Sequence, residues 1–424
     1  MTAFRAETDS PRHSGEPRLK VGAPAVVPPP RSRARRLVPR LVAAATALCA
    51  IVVLAQGHAG LPFRRIVTVE AKMASKADYF EDPQVQRLLI RNGLRVHITR
   101  MGSRGIATQS YDGYDVVIPS GQPAADLITH KRTDEGHQAA EYAPFFSPIV
   151  LGTYREYAET LQDAGIATPL PGTPAGQKPL YYSLNMKKFL RTTADGVRWD
   201  RLGLARHGLH NGNQVLAQTS GICDSNSAGT YMGLVSYVWN HDSIPQNPTE
   251  ATRFADRIRL LFNDQGLSSA GKSRTYASDE GKSEAPIAVI YEHQFLAYQI
   301  RAQARTGHVD GERVLLYPSA QIDTEPQLIA LTPDGDRLSR LVNDDPALQK
   351  RAVELGFRVK DAQVPGATSS AQTRFLRERH IPAPGLSGDD TKAVLPRLGL
   401  LERMIEDIGA CASVPQGAAD GEAP

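Results

Sequence analysis

From Arg65 onward the sequence alternates short apolar runs with amphipathic stretches, and this rhythm narrows the possible folds more than any other feature. Ile66-Val67-Thr68-Val69 reads as a strand that closes at Ala71-Lys72-Met73-Ala74-Ser75-Lys76, and Val85, Leu88 and Leu89 then follow at helical spacing. Leu94 to Ile98 alternates as a second strand ending at Met101-Gly102-Ser103-Arg104. Tyr114 to Ile118 is a third, closed by Pro119-Ser120-Gly121. Strand–helix alternation of this kind predicts an α/β lobe with a mainly parallel sheet, whose ligand crevice lies at the loops after the strand C-termini.

A second series begins after the strand Pro148-Ile149-Val150-Leu151-Gly152 and the amphipathic stretch Tyr154 to Leu161. It comprises a strand-like Gln214-Val215-Leu216-Ala217, helices over about 229–239 and 251–262, and strands at Ile287 to Ile290 and Val314 to Pro318. Leu328 to Leu331 and helices near 334–342 and 347–355 come last. No solenoid period is visible, and 424 residues suit two α/β lobes.

The net charge of +4 does not mark a nucleic-acid binder, because the surplus is local. Residues 1–40 hold nine Lys or Arg against three Asp or Glu, which leaves 40 basic and 42 acidic groups in the rest of the chain. A body without cationic excess has little with which to displace counterions from phosphates, so no nucleic-acid partner is expected. Residues 1–36, with Pro28-Pro29-Pro30 and a run of arginines, read as a disordered basic cytoplasmic tail, and 413–424 as a disordered C-terminal tail. Between the basic tail and the body, residues 37–57 carry the uncharged run Leu41 to Ala55, which fits an uncleaved transmembrane anchor or a signal segment. With arginines on its N-terminal side, either reading places everything after Gly57 outside the cytoplasm. Of the cysteines there, Cys223 and Cys411 either pair in that oxidising setting or remain two buried thiols.

Motifs with chemistry are few. Gly266-x-x-x-x-Gly271-Lys272-Ser273 matches the phosphate-loop pattern, but it follows an amphipathic helix and precedes the polar stretch Arg274 to Gly281, so it reads as a surface loop. His207-x-x-His210 sits in a Gly- and Asn-rich loop with no evident third ligand, and neither a metal nor a cofactor is expected. Tyr291-Glu292-His293 fits an acid–base pair or a ligand contact equally well. Ser225-Asn226-Ser227 precedes an apolar helical run, so its hydroxyls cap a helix start. Ser75 and Lys76, Ser103 and Arg104, and Ser120 lie at first-lobe strand ends, where hydroxyls and cations together suggest a crevice for a polar or anionic ligand.

The order of Phe80-Glu81-Asp82-Pro83, Gly102-Ser103, Tyr114-Asp115-Val116-Val117, Pro148 to Gly152, Ser225-Asn226-Ser227, Ala288 to Glu292 and Leu316-Tyr317-Pro318 resembles bacterial extracytoplasmic substrate-binding proteins of the type II periplasmic fold. Within that group the likeness is to membrane-anchored substrate-binding-like domains, some of which carry a von Willebrand factor A domain that this sequence lacks. The resemblance implies a two-lobed α/β fold with lobe 1 at 66–151 and 323–412, lobe 2 at 152–322, and hinges near 148–153 and 317–325. It implies a cleft faced by Ser75, Lys76, Ser103, Arg104, Ser120, Ser225, Asn226, Ser227, Tyr291 and Glu292. The expected protein is not an enzyme. It captures a small polar or anionic ligand on the outer side of the bacterial inner membrane, for an ABC transporter permease or another membrane partner. Two rivals stay open: a ligand-independent interaction or sensor module on the same fold, and an exported enzyme using Tyr291-Glu292 or His293.

Overall fold

The structure, a computed structural model, describes residues 66–138, 140–171, 177–263, 272–360, 370–384 and 391–411. The expected tails, the apolar segment 37–57 and Gly266 to Gly271 lie outside the described residues. Among the described residues no helix is long and apolar enough to cross a membrane.

The chain forms two sheets in a mixed α/β arrangement. The first is built from β1 (Val67–Met73), β2 (Leu94–Arg100), β3 (Val116–Ile118), β4 (Ala140–Tyr142) and the late strand β12 (Leu328–Ala330), in the order β2-β1-β3-β12-β4. β1 runs parallel to β2 and β3, whereas β12 is antiparallel to both β3 and β4, so the expectation of a mainly parallel sheet holds for β1, β2 and β3. Strand alternation divides the core between the two faces. Val116, Ile118 and Leu328 join Val85, Leu89, Leu338 and Leu348 on one side, while Val117 and Ile329 meet Ile106 and Ile128 on the other. The helix Pro83–Arg91 begins as its sequence dictates, with proline in the first turn and the Asp82 carboxylate accepting from the amides of Gln84 and Val85 at 3.0 and 3.1 Å.

The second sheet is centred on β5 (Ser147–Tyr154), a strand buried along its whole length. It also holds β6 (Ala167–Pro169), β7 (Tyr181–Leu184), β8 (Ile287–Tyr291), β9 (Arg313–Pro318) and β11 (Asp323–Thr324), while β10 (Ala320–Gln321) and β13 (Thr391–Lys392) form a separate parallel pair. β5 pairs antiparallel with β8 and β9, β9 runs parallel to β7, and β7 pairs with β6. The chain therefore leaves the first sheet after β4, builds the second, and returns as β12. The outgoing and returning segments run side by side, Asp323 opposite Pro148 and Thr324 opposite Ser147.

Three stretches differ from the sequence reading. Gln214 to Ala217 is not a strand; only isolated bridges join Gln214 to Arg198 and Gln218 to Ala288, although Val215 and Ala217 are buried. The polar stretch after Ser273 is helical over Lys272–Ala277 and Gly281–Glu284. The anchor there is Tyr276, a buried ring whose hydroxyl donates to the carbonyls of Thr153 and Val314 at 3.2 and 3.1 Å. Finally, the helix Leu398–Gly409, expected in the first lobe, packs against the helices Pro248–Asn263 and Asn226–Trp239. Its Leu401, Met404, Ile405 and Ile408 belong to the second sheet's core, where Gly229 and Gly233 leave room for them: a Cβ there would stand 3.1 Å from Ile405 Cδ1 and 3.6 Å from Leu401 Cδ1.

Candidate functional site

Four strand ends and one further segment converge on a cavity of about 420 Å³. β1 supplies Ala74 and Ser75, β2 supplies Met101 to Ser103, and β3 supplies Ser120. From the other sheet come the segment before the helix Asn226–Trp239 and the end of β8 at Tyr291. The two sets approach closely. A Cβ on Gly102 would stand 2.5 Å from the Asp224 backbone carbonyl oxygen, so that position needs glycine for space alone, and one on Gly121 would stand 2.4 Å from Asn226 Nδ2 and push that side chain aside.

The hydroxyls are linked before any ligand is considered. Ser75 Oγ and Ser120 Oγ lie 2.7 Å apart, the Ser75 amide donates to Ser120 Oγ at 3.1 Å, and the Ser120 amide donates to Ser103 Oγ at 3.0 Å. On the opposite wall Ser225 Oγ and Ser227 Oγ lie 2.8 Å apart, and Ser225 caps the helix through the Ala228 amide at 3.4 Å. Burial raises the Tyr291 phenol, and polar contacts from Asn226, Ser120, Ser227 and Ser75 pull it back part of the way. That phenol is thus the point where the hydroxyls of both walls meet. Asn226 is 4% exposed and its Oδ1 has no hydrogen-bond partner among the described residues.

Of the ten residues expected to face the cleft, Ser75, Ser103, Ser120, Ser225, Asn226, Ser227 and Tyr291 line this cavity, and Lys76, Arg104 and Glu292 do not. The three charged side chains turn into the protein instead. Lys76 is fully buried with its ammonium 3.2 Å from the centroid of the Tyr291 ring and without a hydrogen-bond partner among the described residues, and burial drives it well below the ordinary lysine range. Arg104 pairs with buried Glu402 and donates from Nε to the Cys223 carbonyl at 3.1 Å. Glu292 is held by Arg358 and by the Tyr317 hydroxyl.

His293 also lies behind the cavity wall, not in it. Its ring stacks on Phe357 with centroids 4.0 Å apart, and its Nδ1 has no partner. Burial first, and the nearby Lys76 second, hold its pKa well below the ordinary value. A base whose folded pKa is depressed takes up a proton in the unfolded chain before it does so in the folded one. Stability tied to His293 is therefore complete above about pH 6.5 and falls as the pH drops below that value. Thermal midpoints measured from pH 7 to pH 5 should fall less steeply in His293→Gln than in the parent, whatever the absolute level; equal slopes would remove His293 from the acid response.

His207 and His210 do not share a ligand. His207 lies between Glu159 at 3.3 Å and Asp163 at 3.1 Å, while His210 faces Asp200 at 3.8 Å. No group of three metal-ligating side chains occurs among the described residues.

The chain is similar to solved substrate-binding proteins. The substrate-binding protein of an ABC transporter from Agrobacterium tumefaciens matches at 12% identity and a TM-score of 0.48, over 83% of this chain and 95% of that one. The periplasmic binding protein AfuA from Actinobacillus pleuropneumoniae, solved with exogenous fructose-6-phosphate, matches at 11% identity and 0.47, over 81% and 97%. Iron-bound HitA from Pseudomonas aeruginosa matches at 10% identity and 0.46, over 81% and 99%. No family model matches the chain, and no curated protein matches it.

Neither charged member of the lining, Asp224 nor Lys272, was among the residues expected to face the cleft. Lys272, read as part of a surface loop, is 6% exposed, lines the cavity beside Ser273, and donates from Nζ to Gln218 Oε1 at 3.0 Å. A signal was present in the four-residue spacing of Lys272 and Tyr276. On a helix that spacing puts both on one face, and a tyrosine on that face points to burial.

Proposed function

We propose that this protein is a non-catalytic solute receptor of the type II periplasmic kind, with lobes built on the two sheets closing about the segments near 148–153 and 317–325. It captures a small polar or anionic ligand in the cavity between them. In this reading the body sits outside the cytoplasm, tethered to the bacterial inner membrane through residues 37–57, and a transporter permease or signalling partner reads its closed form. The observation that carries it is the convergence of hydroxyls from both sheets on one cavity of about 420 Å³, within the range of small-molecule sites. Against catalysis, the lining hydroxyls bond to one another and not to an imidazole, so no serine there has the adjacent base that a nucleophile needs.

Thermal unfolding against a panel of oxyanions, sugars, amino acids and metal ions tests this. A ligand that binds only the folded form at a hundredfold excess over Kd adds about 2.7 kcal/mol of stability. Ser225→Ala with Ser227→Ala should weaken the ligand so found by about 1–3 kcal/mol, since each hydroxyl removed leaves a ligand group unpaired. No shift from any class would instead favour an interaction module that keeps the fold without a ligand.

A further inference from the structure

Resting on the reading of the cavity as a ligand site, the geometry points to a hydroxylated organic anion as its occupant, with the carboxylate or phosphoryl head at Nζ of Lys272. The lining contains two charged side chains, and they are placed unequally: Asp224 is exposed, whereas Lys272 is almost wholly withdrawn from water. Lys272 spends one N–H on the neutral amide of Gln218 at 3.0 Å, and no carboxylate among the described residues forms an ion pair with it. A buried ammonium demands a counter-charge or several good acceptors, and here the described residues supply one neutral acceptor. Burial pulls Lys272 below its ordinary pKa, with Glu284 opposing, so an arriving anion would offset that cost and favour the charged form.

The remaining lining sets the rest of the molecule. A cavity of about 420 Å³ exceeds what a bare oxyanion fills. Met101, Val289 and Ile290 offer apolar surface to a carbon frame, and the unpartnered Oδ1 of Asn226 awaits a donor such as a ligand hydroxyl. Head group, frame and hydroxyl together describe a sugar acid or a polyol phosphate.

The full-length protein would be titrated calorimetrically with gluconate, glycerol phosphate, glucose and inorganic phosphate. The expected result is binding of gluconate or glycerol phosphate, with glucose and inorganic phosphate each at least tenfold weaker. Lys272→Gln should cost tenfold or more in affinity for the organic anion, and Lys272→Arg should retain most of it. Glucose binding as tightly as gluconate, or anion affinity unchanged in Lys272→Gln, would overturn the assignment of charge and leave the cavity as a receptor site for neutral solutes. Inorganic phosphate binding as tightly as the organic anions would overturn the organic class. Failure of every probe, together with no response to the wider ligand panel, would remove both the anion and the receptor reading. If Lys272→Gln does not fold, Gln218→Ala serves in its place: it frees the third N–H, so gluconate affinity should change at least threefold while that for glucose does not, and no change would overturn the assignment.

Discussion

Replacing Glu292 by alanine should cost about 3–5 kcal/mol of stability, because it strands a buried guanidinium. Glu292 is fully buried and Arg358 is 5% exposed. The two are joined in fork geometry, Arg358 Nε to Oε2 at 2.6 Å and a second guanidinium nitrogen to Oε1 at 2.5 Å, with the Tyr317 hydroxyl also donating to Oε1 at 2.5 Å. Burial works against the Arg358 charge, and the Glu292 carboxylate more than offsets it, so the guanidinium ends above its ordinary pKa. Arg358 is tied to the segment leading into β5 by paired backbone bonds with Phe146, at 2.8 and 3.0 Å. The next residue, Ser147, accepts from the His293 amide at 3.0 Å and from the Thr324 hydroxyl at 2.6 Å. The ion pair thus fixes the place where the chain passes between the sheets. Urea unfolding should show Glu292→Ala far below the parent and Glu292→Ala/Arg358→Met recovering a large part of the loss, since the double variant leaves no lone charge. A single variant within 1 kcal/mol of the parent would mean that water reaches Arg358.

The residues that were legible in the sequence share one property: their direction follows from the strand or cap that carries them. Val116, Val117 and Ile118 alternate between two cores as a strand must, and Ser75, Ser103 and Ser120 follow strands whose ends share one edge of a sheet. Ser225 was placed by its capping chemistry, which the Ala228 amide realises. The charged residues beside them were misdirected for a common reason. A cation or carboxylate at a strand end is expected to face water, yet Arg104 finds Glu402 298 positions away and Glu292 finds Arg358 66 positions away. Neither partner has a local signature, so no spacing argument reaches it. Lys76 has no hydrogen-bond partner among the described residues and lies on an aromatic ring instead. The C-terminal helix shows the same limit at larger scale. Its apolar face was readable, but the lobe that covers it makes room through Gly229 and Gly233, far earlier in the chain, and no local rule links such distant segments.

Removing the bond between Cys223 and Cys411 should destabilise the protein by about 2–5 kcal/mol and loosen the cavity wall. The two sulfurs are bonded at 2.06 Å across a sequence separation of 188. A closure of that length restricts the unfolded chain by about 5 kcal/mol in the chain-entropy account, and measured values usually fall below such limits. The bond also has a local consequence. Cys223 lies two residues before Ser225, in the segment that carries the second wall of hydroxyls, and Cys411 follows the helix Leu398–Gly409. Arg104 reinforces the same junction by reaching the Cys223 carbonyl and Glu402 at once, so a first-sheet loop, the cavity segment and the C-terminal helix are fastened together. Cys223→Ser, Cys411→Ser and the double variant should all lose about the same stability, because each breaks the same bond. Each should also weaken whatever ligand stabilises the parent, since the Ser225 and Ser227 hydroxyls lose their fixed position. Losses that add between the two single variants would assign the effect to packing of each thiol, and unchanged ligand affinity would separate the bond from the cavity.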